Sequence, residues 1–166
     1  MKSKPTCKKT VFKKTVCKQV VRKRCDGKRF KGRKSAFIAV SGTDQTLNMG
    51  QFMQVQFQVE EVDLNNEYNP ATSTFRPKQA GLYSLVASVS FSVVTMSEVD
   101  MRLEIRVNGV ARIFDSEHFF PRDNIIDAAG IVKLEARDTV QVFARAAGEN
   151  GTINGSLGTR FEGFKI

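Results

Sequence analysis

The sequence predicts an all-β fold, an antiparallel sandwich or barrel of about eight to ten short strands behind a basic N-terminal arm. Three observations lead there. From Ser35 onward, apolar residues recur at every second position rather than every third or fourth. No stretch carries the 3.6-residue period of a helix of ordinary length. Charge is also split unevenly along the chain. Residues 1–34 hold 15 Lys or Arg against the single acid Asp26, a net of +14, whereas 35–166 hold 11 basic residues against 16 acids, a net of −5.

The arm spans 1–34 and contains a short tandem repeat, Lys8-Lys9-Thr10-Val11-Phe12 followed by Lys13-Lys14-Thr15-Val16-Cys17 and a degraded Lys18-Gln19-Val20-Val21-Arg22. A five-residue period collects no apolar face on helix or strand, and dense like charges repel, so the arm is expected to be disordered when unbound. Thr, Val and Phe favour extended chain, which would let it become strand on a partner. Asp26-Gly27 and Gly32 punctuate its end. The 132 residues that follow, 35–166, are enough for one domain with a real core.

Within that domain, Met53, Val55, Phe57 and Val59 alternate with Gln54, Gln56, Gln58 and Glu60, which reads as one strand. Tyr83, Leu85, Ala87, Val89, Phe91 and Val93 alternate mostly with serines, and Met101, Leu103, Ile105 and Val107 with Arg102, Glu104 and Arg106. Asn108-Gly109 then supplies the two positive-φ positions of a tight hairpin, and Val110–Phe114 returns as the partner strand. Further strands are expected at 36–40, 125–135, 139–146 and 159–166. Gly148 to Gly158 reads as a loop, too rich in Gly and Asn to pair steadily.

Spacing adds a more specific signal. Phe57 is followed after five residues by Asp63, after four more by Tyr68, after six by Phe75, and after five by Gly81, with Tyr83 two positions on. This ladder resembles the signature of the C1q/tumour-necrosis-factor-like head domain. Its last two aromatic places are filled by Leu85 and Ala87. Ser35-Ala36-Phe37 is similar to the family's opening strand, Tyr68-Asn69-Pro70-Ala71-Thr72 to its mid-chain turn, Leu134–Val142 to a later strand pair, and Phe161-Glu162-Gly163-Phe164 to its closing strand. The resemblance covers 35–166 and implies jelly-roll topology, assembly as a homotrimer and no catalysis. By the motif, Phe57, Asp63, Tyr68, Phe75, Gly81, Tyr83, Phe161, Gly163 and Phe164 serve the core or the subunit contacts. The collagen-like stalk common in that family is absent, and the arm lies outside its pattern.

A search for chemistry agrees with the expectation of no enzyme. His118, the single histidine, lies in Asp115-Ser116-Glu117-His118 and reads as a solvated loop residue, because sequence neighbours cannot converge as nucleophile, base and orienter. Glu60-Glu61 and Glu98 with Asp100 read as surface charge on opposite or exposed faces. The glycine-rich stretch from Gly148 lacks the Gly-Lys-Ser/Thr ending of a phosphate loop. Cys7, Cys17 and Cys25 have no fourth ligand nearby for zinc, and Asp123, Asn124 and Asp127 qualify for calcium by residue type only, so no metal site and no cofactor is expected. Asn150-Gly151-Thr152 and Asn154-Gly155-Ser156 are glycosylation sequons, read as incidental.

All three cysteines sit in the arm, where neighbouring cations favour their thiolates and make cross-links between chains chemically sound. The arm's expected partner is a polyanion or a protein. Nucleic acid ranks lower, and with only Phe12 and Phe30 as stacking rings any such binding would ignore base sequence. A solvated cationic tether is the plainer reading. No segment approaches 18 consecutive apolar residues, and no apolar stretch follows the basic N-terminus as a secretory signal would need. The combined expectation is a non-enzymatic surface or ligand-recognition protein, its heads trimeric and its arms anchored in a larger assembly. The resemblance extends to heads of bacterial spore-surface glycoproteins, which suggests a spore coat or exosporium. The alternative is a capsid subunit whose arm neutralises a genome.

Overall fold

The computed structural model describes residues 34–93, 98–120 and 124–166. The arm with its three cysteines, and Asp123, lie outside the described residues. Thirteen strands and no helix occur among those described: β1 (Ala36–Val40), β2 (Gln45–Leu47), β3 (Met53–Gln54), β4 (Val59–Asp63), β5 (Tyr68–Asn69), β6 (Thr74–Phe75), β7 (Gly81–Val93), β8 (Val99–Val107), β9 (Val110–Phe119), β10 (Asn124–Leu134), β11 (Val140–Ala147), β12 (Gly151–Ile153) and β13 (Arg160–Lys165). The first sheet runs β2-β12-β7-β13-β1-β4, with β10 on the other side of β7. The second runs β5-β6-β11-β8-β9, with β3 also on β11.

The alternation along β7 sets the main register of the first sheet. Tyr83, Leu85, Ala87, Val89 and Phe91 are buried, while the serines between them face outward. β10 pairs along β7 from Gly81 to Phe91, and β13 pairs on its other side from Tyr83 to Ser88. β1, at the start of the described domain, pairs with β13 at its end. In the second sheet, β8 and β9 form the expected hairpin, with Asn108 at φ 51 and Gly109 at φ 80.

Phe37 of β1 lies where the two sheets meet. Its ring stacks on Phe75 at 4.3 Å and on Tyr68 at 5.3 Å, both from the second sheet, and meets Phe161 of the first edge-on at 4.8 Å. Phe57 extends the cluster through Phe161, and Tyr83 through Phe75. Offset and edge-on rings add attraction beyond the apolar area they bury. Gly163 makes room for this packing, since a Cβ there would lie 2.6 Å from Leu85 Cδ2 and 2.9 Å from Phe37 Cε1. The two departures from the aromatic ladder follow from the same geometry. Leu85 sits opposite Gly163 and fills the space beside it, and the small Ala87 sits opposite the bulky Phe161.

Three sequence expectations need correction. The run from Met53 to Val59 is not one strand: β3 pairs with β11 in the second sheet, and β4 pairs with β1 in the first. Val55 and Phe57 cross between sheets with buried side chains, while Val59 emerges exposed. The alternation is that of a crossing, where Phe57 N–H is satisfied by Ser73 Oγ at 2.8 Å instead of a ladder partner. Strand β9 continues past Phe114 to Phe119, which puts His118 on a strand rather than in a loop. The stretch from Gly148 to Gly158 contains β12, paired with both β2 and β7. Gly151 is needed there for close approach, since a Cβ would lie 2.9 Å from the Phe91 ring, and Ile153 is fully buried.

Phe37→Ala should lower unfolding stability by about 3–5 kcal/mol, the usual cost of emptying a buried aromatic site. Urea unfolding followed by circular dichroism checks this; a loss below about 1 kcal/mol would contradict the packing role.

Candidate interaction surface

The ladder residues converge in space. Phe57, Phe75, Tyr83 and Phe161 are fully buried and Tyr68 nearly so, all in the cluster around Phe37. Tyr68 donates its hydroxyl to Phe57 O at 2.9 Å, and Tyr83 to Gln79 O at 2.8 Å. Burial pushes both phenols upward in pKa, so they stay protonated donors. Asp63 accepts from Asn65 N and Tyr68 N, closing the turn that delivers Tyr68 to the core. Gly81 opens β7, where a Cβ would meet only the flexible end of Lys165. Phe164 is different: it is 54% exposed and faces away from the core.

Phe164 belongs to the open face of the first sheet. On that face lie Leu82, Ser84, Val86, Ser88 and Ser90 of β7, and Ile125, Ala129 and Ile131 of β10. The register sets Phe164, Ser84 and Ile131 in one row across three strands, with Glu162, Val86 and Ala129 in the next. Ile131 is 65% exposed, and Leu82, Ile125 and Ile166 are each more than half exposed. Between β1, β7 and β13 the face dips into a hollow of about 240 Å³ floored by Ala36, Ile38, Val86 and Phe164. Its charges are Arg160 and Glu162, which pair with each other, and Asp127 and Lys133 of β10. Small serines between exposed isoleucines and a phenylalanine leave apolar side chains open to solvent in the Phe164–Ser84–Ile131 row and at Leu82 and Ile125.

The outer face of the second sheet is built from the opposite chemistry. Glu104 is buried and bridges Arg102 at 2.6 Å and Arg106 at 2.7 Å. Burial alone would raise its pKa, but hydrogen bonds from the two guanidinium groups win and lower it. Arg102 stacks over Phe114, Arg106 over Phe143 and Phe52, and Arg145 over Phe52. Rings and guanidinium planes cover one another, while Arg145 has only the Phe52 ring among the described residues and its Nε is buried without a hydrogen-bond partner.

His118 stands at one end of the second sheet, opposite Asp100. Its Nδ1 lies 2.7 Å from Asp100 Oδ1 and its Nε2 3.4 Å from Glu98 Oε2. Glu98 and Asp100, exposed at the surface as the sequence suggests, flank the histidine, which stands on β9 rather than in a loop. Both ring nitrogens face carboxylates, which leaves neither free to act as a base toward a nucleophile. Asn124 donates to Phe120 O, and Asp127 lies on the open face of β10. Among the described residues no group of three or more His, Cys, Asp or Glu is placed to hold a metal. Nor is any helix among them long and apolar enough to cross a membrane. Asn154 exchanges hydrogen bonds with Ser90 and Ser92, so its amide is engaged in the fold.

The C1q domain family model matches residues 36–166. The chain belongs to the C1q domain family. Among solved structures, the globular domain of a zebrafish complement 1qA protein is 20% identical, with a TM-score of 0.52, covering 80% of this chain and 97% of that one. The Eiger TNF structure from S. frugiperda is 10% identical, with a TM-score of 0.58, covering 81% and 93%. At these identities the likeness is one of fold, and it makes the two antiparallel sheets a C1q/TNF jelly roll. No curated protein matches the chain significantly. C1q domains are generally non-enzymatic and form trimers that serve recognition or structure.

The hydrogen bond to Asp100, reinforced by Coulomb attraction to Asp100 and Glu98, holds His118 above its ordinary pKa of 6.5. A raised folded-state pKa stabilises fully below the unfolded value, and that contribution disappears as pH rises through the raised value. Asp100→Asn should bring the imidazole titration, followed by NMR, back toward 6.5. An unchanged midpoint would show that Asp100 does not set it.

Proposed function

We propose that this protein is a non-enzymatic, trimeric structural or recognition protein whose heads pack through the open face of the first sheet. The apolar rows formed by Ile131, Ile125, Leu82 and Phe164 carry this reading. A second copy suits that face because C1q domains assemble as trimers, and a surface exposed in one chain is what a symmetric assembly can bury. The arm, at a net +14 over residues 1–34, would tie the trimer by charge to an anionic assembly. Cys7, Cys17 and Cys25 would add covalent links between chains. A spore coat or exosporium suits a lysine-rich, cysteine-bearing arm on such a head. The arm also supports a second reading, since a basic segment before a jelly roll is the layout of a capsid subunit that neutralises a genome.

Light scattering under reducing conditions separates these. A mass of about three chains is expected, particles of tens of chains would favour the capsid, and a monomer would overturn both. Ile131→Asp should convert the trimer to folded monomers, because a carboxylate buried unpaired at a subunit contact costs several kcal/mol. A trimer that survives Ile131→Asp would place the contact on another face. Removing residues 1–34 should leave the trimer intact and abolish its association with the anchoring assembly. Normal localisation of the truncated protein would refute the anchoring role.

A further inference from the structure

One groove is separate from the apolar sheet face. It encloses about 890 Å³ at one end of the sandwich, between the β5–β6 turn, the segment from Arg76 to Lys78 and the turn joining β10 to β11. Arg137 N donates to Pro77 O at 2.7 Å, which fastens one wall to the other. Arg76 N donates to Glu67 O, also at 2.7 Å.

Three cations line this groove: Arg76, Lys78 and Arg137. No ion pair reaches any of them among the described residues. The nearby acids make their contacts elsewhere, and none pairs with these three cations. Glu67 is buried, with one carboxylate oxygen accepting from Ser35 Oγ and the other from Lys78 N. Glu135 pairs with Lys133 at 3.0 Å, and Asp138 accepts from Asn108 Nδ2 and Glu135 N. The groove therefore holds three cations against one lining carboxylate, Glu67, whose neutral hydrogen-bond donors leave its charge in place, and Lys78 Nζ donates to Asn65 O. Arg137 also adopts φ 75, a left-handed conformation unfavourable for a side chain of its size. Such strain persists only where surrounding contacts enforce it, and it is commonest at binding sites.

The rest of the lining narrows the ligand chemistry. Asn66, Asn69 and Thr72 offer amides and a hydroxyl, while Pro70 and Pro77 offer flat C–H surfaces. Amides and hydroxyls match sugar hydroxyls, proline faces match the C–H side of a pyranose, and a guanidinium matches a carboxylate or sulfate in its plane. The volume lies at the upper end of the ~300–1,000 Å³ typical of ligand sites. An extended acidic peptide fits less well. Strand β5 at the sheet edge is only two residues long, and Pro70 follows it without an N–H, so no ladder is offered for a further strand.

We propose that this groove binds an anionic saccharide, a short pyranose chain bearing carboxylates or sulfate esters. Arg76 and Arg137 hold the acid groups, and the amides and prolines hold the sugar. This goes beyond the trimer reading, and the groove shares no lining residue with the apolar sheet face, so either can fail alone.

The test uses the full chain in physiological salt with three fluorescently labelled tetrasaccharides, read by anisotropy. Hyaluronan tetrasaccharide carries only carboxylates, heparin tetrasaccharide adds sulfates, and chitotetraose is neutral. Because the basic arm attracts any polyanion, the comparison is with Arg76→Ala/Arg137→Ala, whose arm is unchanged. Binding of at least one acidic tetrasaccharide should weaken about tenfold in the double variant, with circular dichroism unchanged. Whichever one weakens identifies the anion. Equal affinity in both proteins would assign the binding to the arm and overturn the proposal. Equal binding of chitotetraose, or displacement by inorganic sulfate or polyglutamate at matching charge concentration, would overturn the anionic-saccharide assignment.

Discussion

Phe37 is the point through which the two sheets hold each other. It is carried by β1, near the start of the domain, yet its ring touches Phe161 from the closing strand and Phe75 and Tyr68 from the middle. A sandwich whose sheets share no ladder bonds depends on such interdigitation for its alignment. The surrounding residues serve this cluster. Gly163 yields space, Asp63 closes the turn that delivers Tyr68, and Ser73, at φ 44, caps the Phe57 N–H where the chain crosses between sheets. The spacing ladder is thus the linear trace of one three-dimensional object. Its polar members satisfy the backbone that its aromatic members bury.

That relation explains how much could be read from the chain. Alternation in β7 and β8 was legible because each is long and has one buried face, so period two persists over many residues. The Asn108-Gly109 turn was legible because its φ demand is local. The crossing at Val55 and Phe57 was not, since alternation records which side chains are buried and carries no mark of which sheet the backbone joins. Strand β12 was hidden for a similar reason. It is three residues long, and Gly151 reads as loop although its lack of a side chain is what lets it lie against Phe91.

The histidine cluster shows a sharper limit. Counting back from the hairpin turn, Val107 opposite Val110 would put Asp100 opposite Glu117, a repulsive pair of acids. The structure inserts a bulge between Ile105 and Arg106, where Arg112 is the additional residue on β9, and the register advances by one. Asp100 then faces His118. One unpaired residue converts a clash of like charges into an ion pair, and nothing local in the sequence announces it. Along the same strand Asp115 is half-buried and Glu117 exposed.

The two sheets also divide the surface by chemistry. On the second, Glu104 and the stacked arginines and phenylalanines compensate one another, so little is gained by covering them. On the first, Ile131, Leu82 and Phe164 remain wet in the single chain, and at ~25 cal/mol per Å² of apolar area their removal from water favours association. Recognition at the end groove, as proposed, would rest on Arg76 and Arg137, which no ion pair reaches among the described residues. On the proposed reading, apolar area would bring a second copy of the chain onto the open sheet, whereas the groove's cations would select a ligand by its anions. Because the two sites draw on different forces and share no lining residue, a head of this kind can assemble and recognise at the same time.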